Sequence, residues 1–158
     1  MNPHYSVRAV RWNEAGRALS DVRAAVFIRE QNVPEELEWD ADDESALHFL
    51  AEDGDRRPIG TARLLEDGHI GRMAVLVSWR RRGVGTALLE SALAAARSQG
   101  MEAVRLNAQT HAVPFYQRSG FETVGGEFLD AGIPHVTMRL LLPRAHEANA
   151  ERDDSAKS

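Results

Sequence analysis

The hydrophobic period of this chain changes several times, and each change predicts an element. Residues 7–10 form a short apolar run that predicts a first strand. Asn13 is a suitable N-cap, and Leu19, Val22 and Val26 follow at helical spacing, with Ala15, Ala18 and Ala25 widening the face. That predicts a helix to about residue 29, closed off by Pro34. Residues 46–52 predict a strand. Asp53-Gly54-Asp55 then turns into 58–65 and Glu66-Asp67-Gly68 into 70–77, a three-strand antiparallel meander. Residues 83–98 shift to an alanine- and leucine-rich helical period, which Gly100 ends. Val104, Leu106 and Ala108 alternate with polar neighbours, so residues 104–109 predict a strand. A short helix over 113–119 takes Pro114 in its first turn, and 121–129 and 135–142 predict two last strands.

The order is β, α, acidic segment, β, β, β, α, β, α, β, β. It predicts an α+β domain on one mixed sheet flanked by helices. Beyond Pro143 the chain is polar and charged, so the expected division is a domain over 1–143 and a disordered tail over 144–158. Between residues 35 and 44 stand Glu35, Glu36, Glu38, Asp40, Asp42, Asp43 and Glu44 with no basic residue among them. Like charges this dense predict a solvated loop or a short exposed helix.

Composition narrows the function. A chain of 158 residues fits one domain, and the absence of cysteine removes disulfides, thiolate metal sites and cysteine nucleophiles together. A net charge of −5 argues against a nucleic-acid-wrapping surface. Residues 1–10 lack the pattern of a signal peptide, and no apolar run approaches the ~20 residues that span a bilayer. The expectation is a soluble, cytoplasmic protein that binds neither membrane nor nucleic acid. The six histidines show no paired metal-ligand spacing, and no serine sits in a Gly-x-Ser-x-Gly elbow.

The informative segment is residues 73–89, where an apolar strand runs through Arg80, Arg81, Arg82, Gly83, Val84, Gly85 and Thr86 into a helix. The first amides of a helix lack intrahelical acceptors and sit at the positive end of its dipole. Two glycines let an anion approach the backbone, so the turn reads as a phosphate or pyrophosphate site. A dinucleotide fingerprint would need a glycine at position 88, which is Leu88, and a P-loop would need a Gly-Lys-Ser/Thr step, which is missing. A glycine-containing turn with solvated arginines is the plain alternative.

Arg80-x-x-Gly83-x-Gly85 after Met73-Ala74-Val75 resembles the acyl-CoA signature of the GNAT superfamily of N-acyltransferases. The run from Pro114 through Phe115, Tyr116 and Gly120 to Phe121 resembles that superfamily's downstream segment. Residues 26–34, the pair Ala108-Gln109 and Gly132-Ile133-Pro134-His135-Val136 are similar to its ElaA-like branch. The resemblance spans about residues 5–142. It implies the GNAT fold, acetyl-CoA as cofactor and an N-acetyltransferase acting on a small-molecule or peptide amine. The backbone of Met73, Ala74 and Val75 would pair with pantetheine, and the turn at 81–86 would hold the pyrophosphate. Tyr116 would be the general acid that protonates the departing thiolate. Gln109 stands where many members carry asparagine and is a cofactor or active-site contact. A homodimer through the last strand, 135–142, is a further expectation.

The general base is open. Relatives place a glutamate on the central strands, but 70–77 and 104–109 hold no carboxylate. Glu38, Asp43, His48, His111 and His135 are candidates, each also readable as ordinary solvated or hydrogen-bonded structure. The acidic segment, with Trp39, suits either a wall for a cationic acceptor or an exposed loop. A non-catalytic acyl-CoA-binding module with the same fold is the rival reading.

Overall fold

The computed structural model describes residues 4–35 and 40–143. Glu38, Trp39 and the expected tail over 144–158 lie outside the described residues. One sheet is built from β1 (Tyr5–Val10), β2 (Leu47–Asp53), β3 (Pro58–Leu64), β4 (His69–Val75), β5 (Ala103–Gln109), β6 (Glu122–Asp130) and β7 (Ile133–Leu141). Their spatial order is β1-β2-β3-β4-β5-β7-β6, and β4–β5 is the parallel pair in an otherwise antiparallel ladder. The helices are α1 (Trp12–Arg23), α2 (Val84–Ser98) and α3 (Val113–Gln117). This is the mixed-sheet α+β architecture that the periodicity predicts. No helix among the described residues is long and apolar enough to cross a membrane.

The period of two along β2 assigns the two faces. Phe49 and Ala51 join the large core under α2, with Leu88, Leu89, Ala92 and Ala96. Leu50 points the other way and packs with Val10, Ala15 and Leu19 of α1. Gly60 lets α2 lie close to β3, since a Cβ there would stand 2.9 Å from Leu88 Cδ1. Val104, Leu106 and Ala108 are buried as their alternation predicts, while Arg105 and Asn107 face out.

Three details depart from expectation. Arg11, not Asn13, caps α1, because Glu14 accepts its N–H at 2.8 Å. The helix does not simply end near residue 29: it widens into a π-helix over Ala24–Glu30, whose last turn closes with Gln31 N–H donating to the Val26 carbonyl. The last strand cannot offer an edge to a second copy, because β7 is paired on both sides, to β5 and β6. The edge strands are β1 and β6, and on β6 Val124, Phe128 and Leu129 are exposed.

Two irregularities open the sheet. β4 and β5 are paired only at His69–Arg105 and Ile70–Leu106, and then part. Opposite, a bulge sets Gly71 against Arg63 but Ala74 against Thr61, an extra residue on β4 accommodated by Arg72 at φ 50°. The split strands leave a cleft of about 990 Å³.

Candidate active site

The cleft follows the β4 backbone from the fork at Ile70 to the glycine turn at Gly83. At β4's outer end Leu76 N–H donates to the Ile59 carbonyl, so Val75, opposite Gly60, occupies the alternating register that turns its N–H and C=O into the gap. Met73, Ala74 and Val75 line the cleft, as expected for a strand edge offered to an extended ligand.

At the outer end Gly83 caps α2 at φ 85°, and Arg81 before it also has a left-handed φ of 63°. Gly83 has no side chain with which to satisfy the first helical amides, so these remain available to an anion. A Cβ on Gly85 would stand 3.4 Å from Phe115 Cζ, an ordinary contact, so α3 packs directly against the turn. Arg81, Gly83, Gly85 and Thr86 line the cleft. Two residues of the expected phosphate set do not. Val84 is buried in the core, and Arg82 stacks over Trp79 at 4.9 Å from the ring centroid.

Arg80 lines the cleft but its guanidinium is already engaged. Nε donates to the Val75 carbonyl at 2.9 Å, and the two terminal nitrogens form a fork on Glu30 at 2.7 and 2.6 Å. Those hydrogen bonds hold the Glu30 carboxyl below its usual range. The latch ties the π-helix to the end of β4.

Tyr116 sits in α3 between Phe115 and Phe121, both edge-on to its ring. It lines the cleft, and burial pushes its phenol up to about 12. Gln109, at the end of β5, donates to Gln31 at 2.9 Å, so this side chain bridges to the segment after the π-helix. His135 is nearly buried, stacked on Phe128, and lines the cleft. Its Nδ1 donates to the Ile133 carbonyl at 2.7 Å, which leaves Nε2 as the basic nitrogen. His111 lines the cleft from its exposed rim.

The other histidine candidate is elsewhere. His48 is wholly buried on β2, packed beside Trp12, with Nε2 donating to the Asp43 carbonyl at 2.9 Å, and it does not reach the cleft. Burial lowers its pKa. The acidic segment also differs from a solvated loop. Asp43 is buried, gripped by Arg23 at 3.0 Å through both oxygens and by Arg63 at 3.0 Å. Burial would raise its carboxyl, but the hydrogen bonds and charges of Arg23 and Arg63 outweigh that and hold it low. Asp40, likewise lowered, receives Arg63 at 2.7 Å and Arg72 at 3.4 Å. A carboxylate held by two arginines is a poor proton acceptor, so Asp43 is a structural anion rather than a base.

Arg63, Arg72, Glu30 and Gln31 line the cleft, yet sequence reasoning gave them no role. One signal was available: Arg63 is a lone charge in an otherwise uncharged strand, 58–65. A smaller recess of about 100 Å³ adjoins the cleft, lined by Phe27, Gln31, Arg72, Gln109, Asp130 and His135 among others.

The sequence family described as acetyltransferase (GNAT) domain matches residues 15–142. Over 121 residues the chain is 43% identical to YjcF of Bacillus subtilis, described as an uncharacterized N-acetyltransferase, covering 74% of this chain and 86% of that protein. Among solved structures, an acyl-CoA N-acyltransferase from Pseudomonas aeruginosa is similar at TM-score 0.76 and 31% identity, covering 89% of this chain and 99% of the other. Escherichia coli ElaA is similar at TM-score 0.76 and 30% identity, over 85% of this chain and 98% of its own.

Proposed function

Since the chain belongs to the GNAT acetyltransferase family, we propose that it moves an acetyl group from acetyl-CoA to a primary amine. The observation that carries this reading is the exposed β4 edge running into the Gly83 turn with Tyr116 in the same cleft. Acetyl-CoA supplies a thioester whose carbonyl the acceptor amine attacks directly, forming C–N as C–S breaks. Along the edge formed by Met73, Ala74 and Val75, the backbone groups that face the gap hold the pantetheine arm, and the Val75 N–H polarises the carbonyl oxygen. The amides of Gly83, Gly85 and Thr86, with Arg81, hold the pyrophosphate. Arg80 acts through the Val75 carbonyl and Glu30, fixing the strand end against the π-helix rather than touching phosphate.

Tyr116 keeps its proton at neutral pH, because burial has raised its pKa. A free thiol has a pKa of ~8.5 and is thus the stronger acid. The phenol therefore serves by donating a hydrogen bond against the charge developing on sulfur. His135 Nε2 takes the proton that the amine loses, a role for which His48 is misplaced. Gln109 with Gln31 shapes the acceptor side. A cytoplasmic site of action accords with the lack of cysteine.

A non-catalytic acyl-CoA sensor would bind the same ligand without needing an acid or a base in the cleft. Tyr116 and His135 both line it, which favours the enzyme. Thiol release from acetyl-CoA over an amine library, with Tyr116→Phe as control, tests the choice. Amine-dependent release that the variant loses supports the enzyme; binding of acetyl-CoA with no release for any amine supports the sensor.

A further inference from the structure

Arg63 is the residue whose bonding the reaction described so far does not explain. Its side chain is about nine-tenths buried, and it lines the cleft at the fork of β4 and β5. Nη1 alone carries both of its ion pairs, to Asp40 at 2.7 Å and Asp43 at 3.0 Å. Nε is buried with no hydrogen-bond partner. Leaving a buried charged donor without a partner is costly, and a native chain tolerates that where something else completes the bond. Asp43 does not depend on Arg63 alone, because Arg23 already grips both of its oxygens.

The Nε–Nη2 edge of a guanidinium is a planar two-donor fork, the shape that meets a carboxylate through two parallel hydrogen bonds. Opposite Arg63 on β4 stands Gly71, which puts no side chain over that edge. The heavy atom nearest to a Cβ there would be Arg63 Nη2 itself, at 3.9 Å. Arg63 lines the cleft that Tyr116 and His135 also line, with Nη2 the donor that no side chain among the described residues engages and the buried Nε behind it.

We infer that the amine acceptor carries a carboxylate, as an amino acid does, and that the free edge of Arg63 binds it. This rests on the acyltransfer reading above. It also reverses the sense of the acidic segment. Asp40 and Asp43, which looked suited to a cationic acceptor, are spent holding the arginines that face the anion.

The test is calorimetric titration of CoA-saturated wild-type protein with matched series. Each series holds an amino acid, its amide and its decarboxylated amine, across aliphatic, aromatic and polar side chains. A carboxylate member is expected to bind about ten-fold or more tightly than its amide, the effect of one charged hydrogen-bond pair. Arg63→Lys keeps a cation for Asp43 but loses the fork, so it should abolish that preference with CoA affinity unchanged. Should the variant not fold, the wild-type series decides alone. Amides or plain amines binding as well as acids, or no member binding while CoA does, overturns the inference. Failure of CoA itself to bind overturns the acyltransfer reading and the acceptor inference with it.

Discussion

The two ends of the cleft are made by different kinds of sequence information. The end proposed for the cofactor lies within one continuous stretch, in which β4, the arginine turn, Gly83 and the first turn of α2 follow one another from 73 to 86. Its working groups are backbone amides, so its chemistry depends on φ angles and on missing side chains. The end proposed for the acceptor is assembled from Arg23 of α1, Asp40 and Asp43 of the acidic segment, Arg63 of β3 and Arg72 of β4. Its working groups are side-chain charges withdrawn from water, each depending on partners twenty or more residues away. A local turn can be recognised from its own residues, whereas a buried charge network becomes visible only when the sheet closes.

Breaking the acceptor end should cost the most stability. Asp43→Asn leaves Arg23 and Arg63 buried without their shared carboxylate, and loss of one partner of a buried pair costs about 3–5 kcal/mol. Urea unfolding should show the midpoint fall with little change in slope. A substitution of the cofactor end such as Gly83→Ala should cost far less, about 1–2 kcal/mol for a left-handed φ with a Cβ.

The catalytic contrast comes next. Tyr116→Phe should lower kcat by about 10²-fold or more, with the KM for acetyl-CoA nearly unchanged. A parallel loss in acetyl-CoA affinity would move Tyr116 from acid to binding residue. Below neutrality the acceptor face should weaken first. His48 and His69 both have pKa values lowered by burial from 6.5, so the folded state binds fewer protons than the unfolded one. Their contribution is fully present above pH 6.5 and is lost as pH falls toward their folded values, by up to about 1.4 kcal/mol per unit for each. Asp40 and Asp43 act in the same direction lower down, stabilising above about pH 4 and failing as acid reaches their depressed values. His48→Gln should flatten the first decline when stability is followed against pH.

The smallest expected stability effect is at the latch joining the two ends. Glu30→Gln breaks a fork whose partners are more than a third exposed, so it should cost no more than about 1 kcal/mol. Its informative readout is the KM for acetyl-CoA, because Arg80 is then free to leave the Val75 carbonyl. No change in KM would mean that the latch does not position β4.

These contrasts also explain what was legible beforehand. Alternation and helical period located every strand and the long α2, because those signals are local. The Gly83 turn was legible because a left-handed φ at a helix start favours glycine, and Tyr116, singled out with it, lines the same cleft. His48 and His135 could not be separated by sequence, since both lie on strands. Only the pleat decides that His48 faces α1 and Trp12 while His135 faces the cleft. Asp43 was misread as solvated because charge density along the chain says nothing of arginines brought in from α1 and β3. That β7 is paired on both sides was hidden for a similar reason, because strand order is a property of the closed sheet.

The most direct test of the account is a calorimetric titration of acetyl-CoA into the wild-type protein and into Gly83→Glu, with folding of both verified by circular dichroism. Saturable binding by wild type, weakened about 100-fold or more when a carboxylate enters the anion site, is the expected result. Equal affinity in the two proteins, or no binding by a folded wild type, would contradict the cofactor end as described.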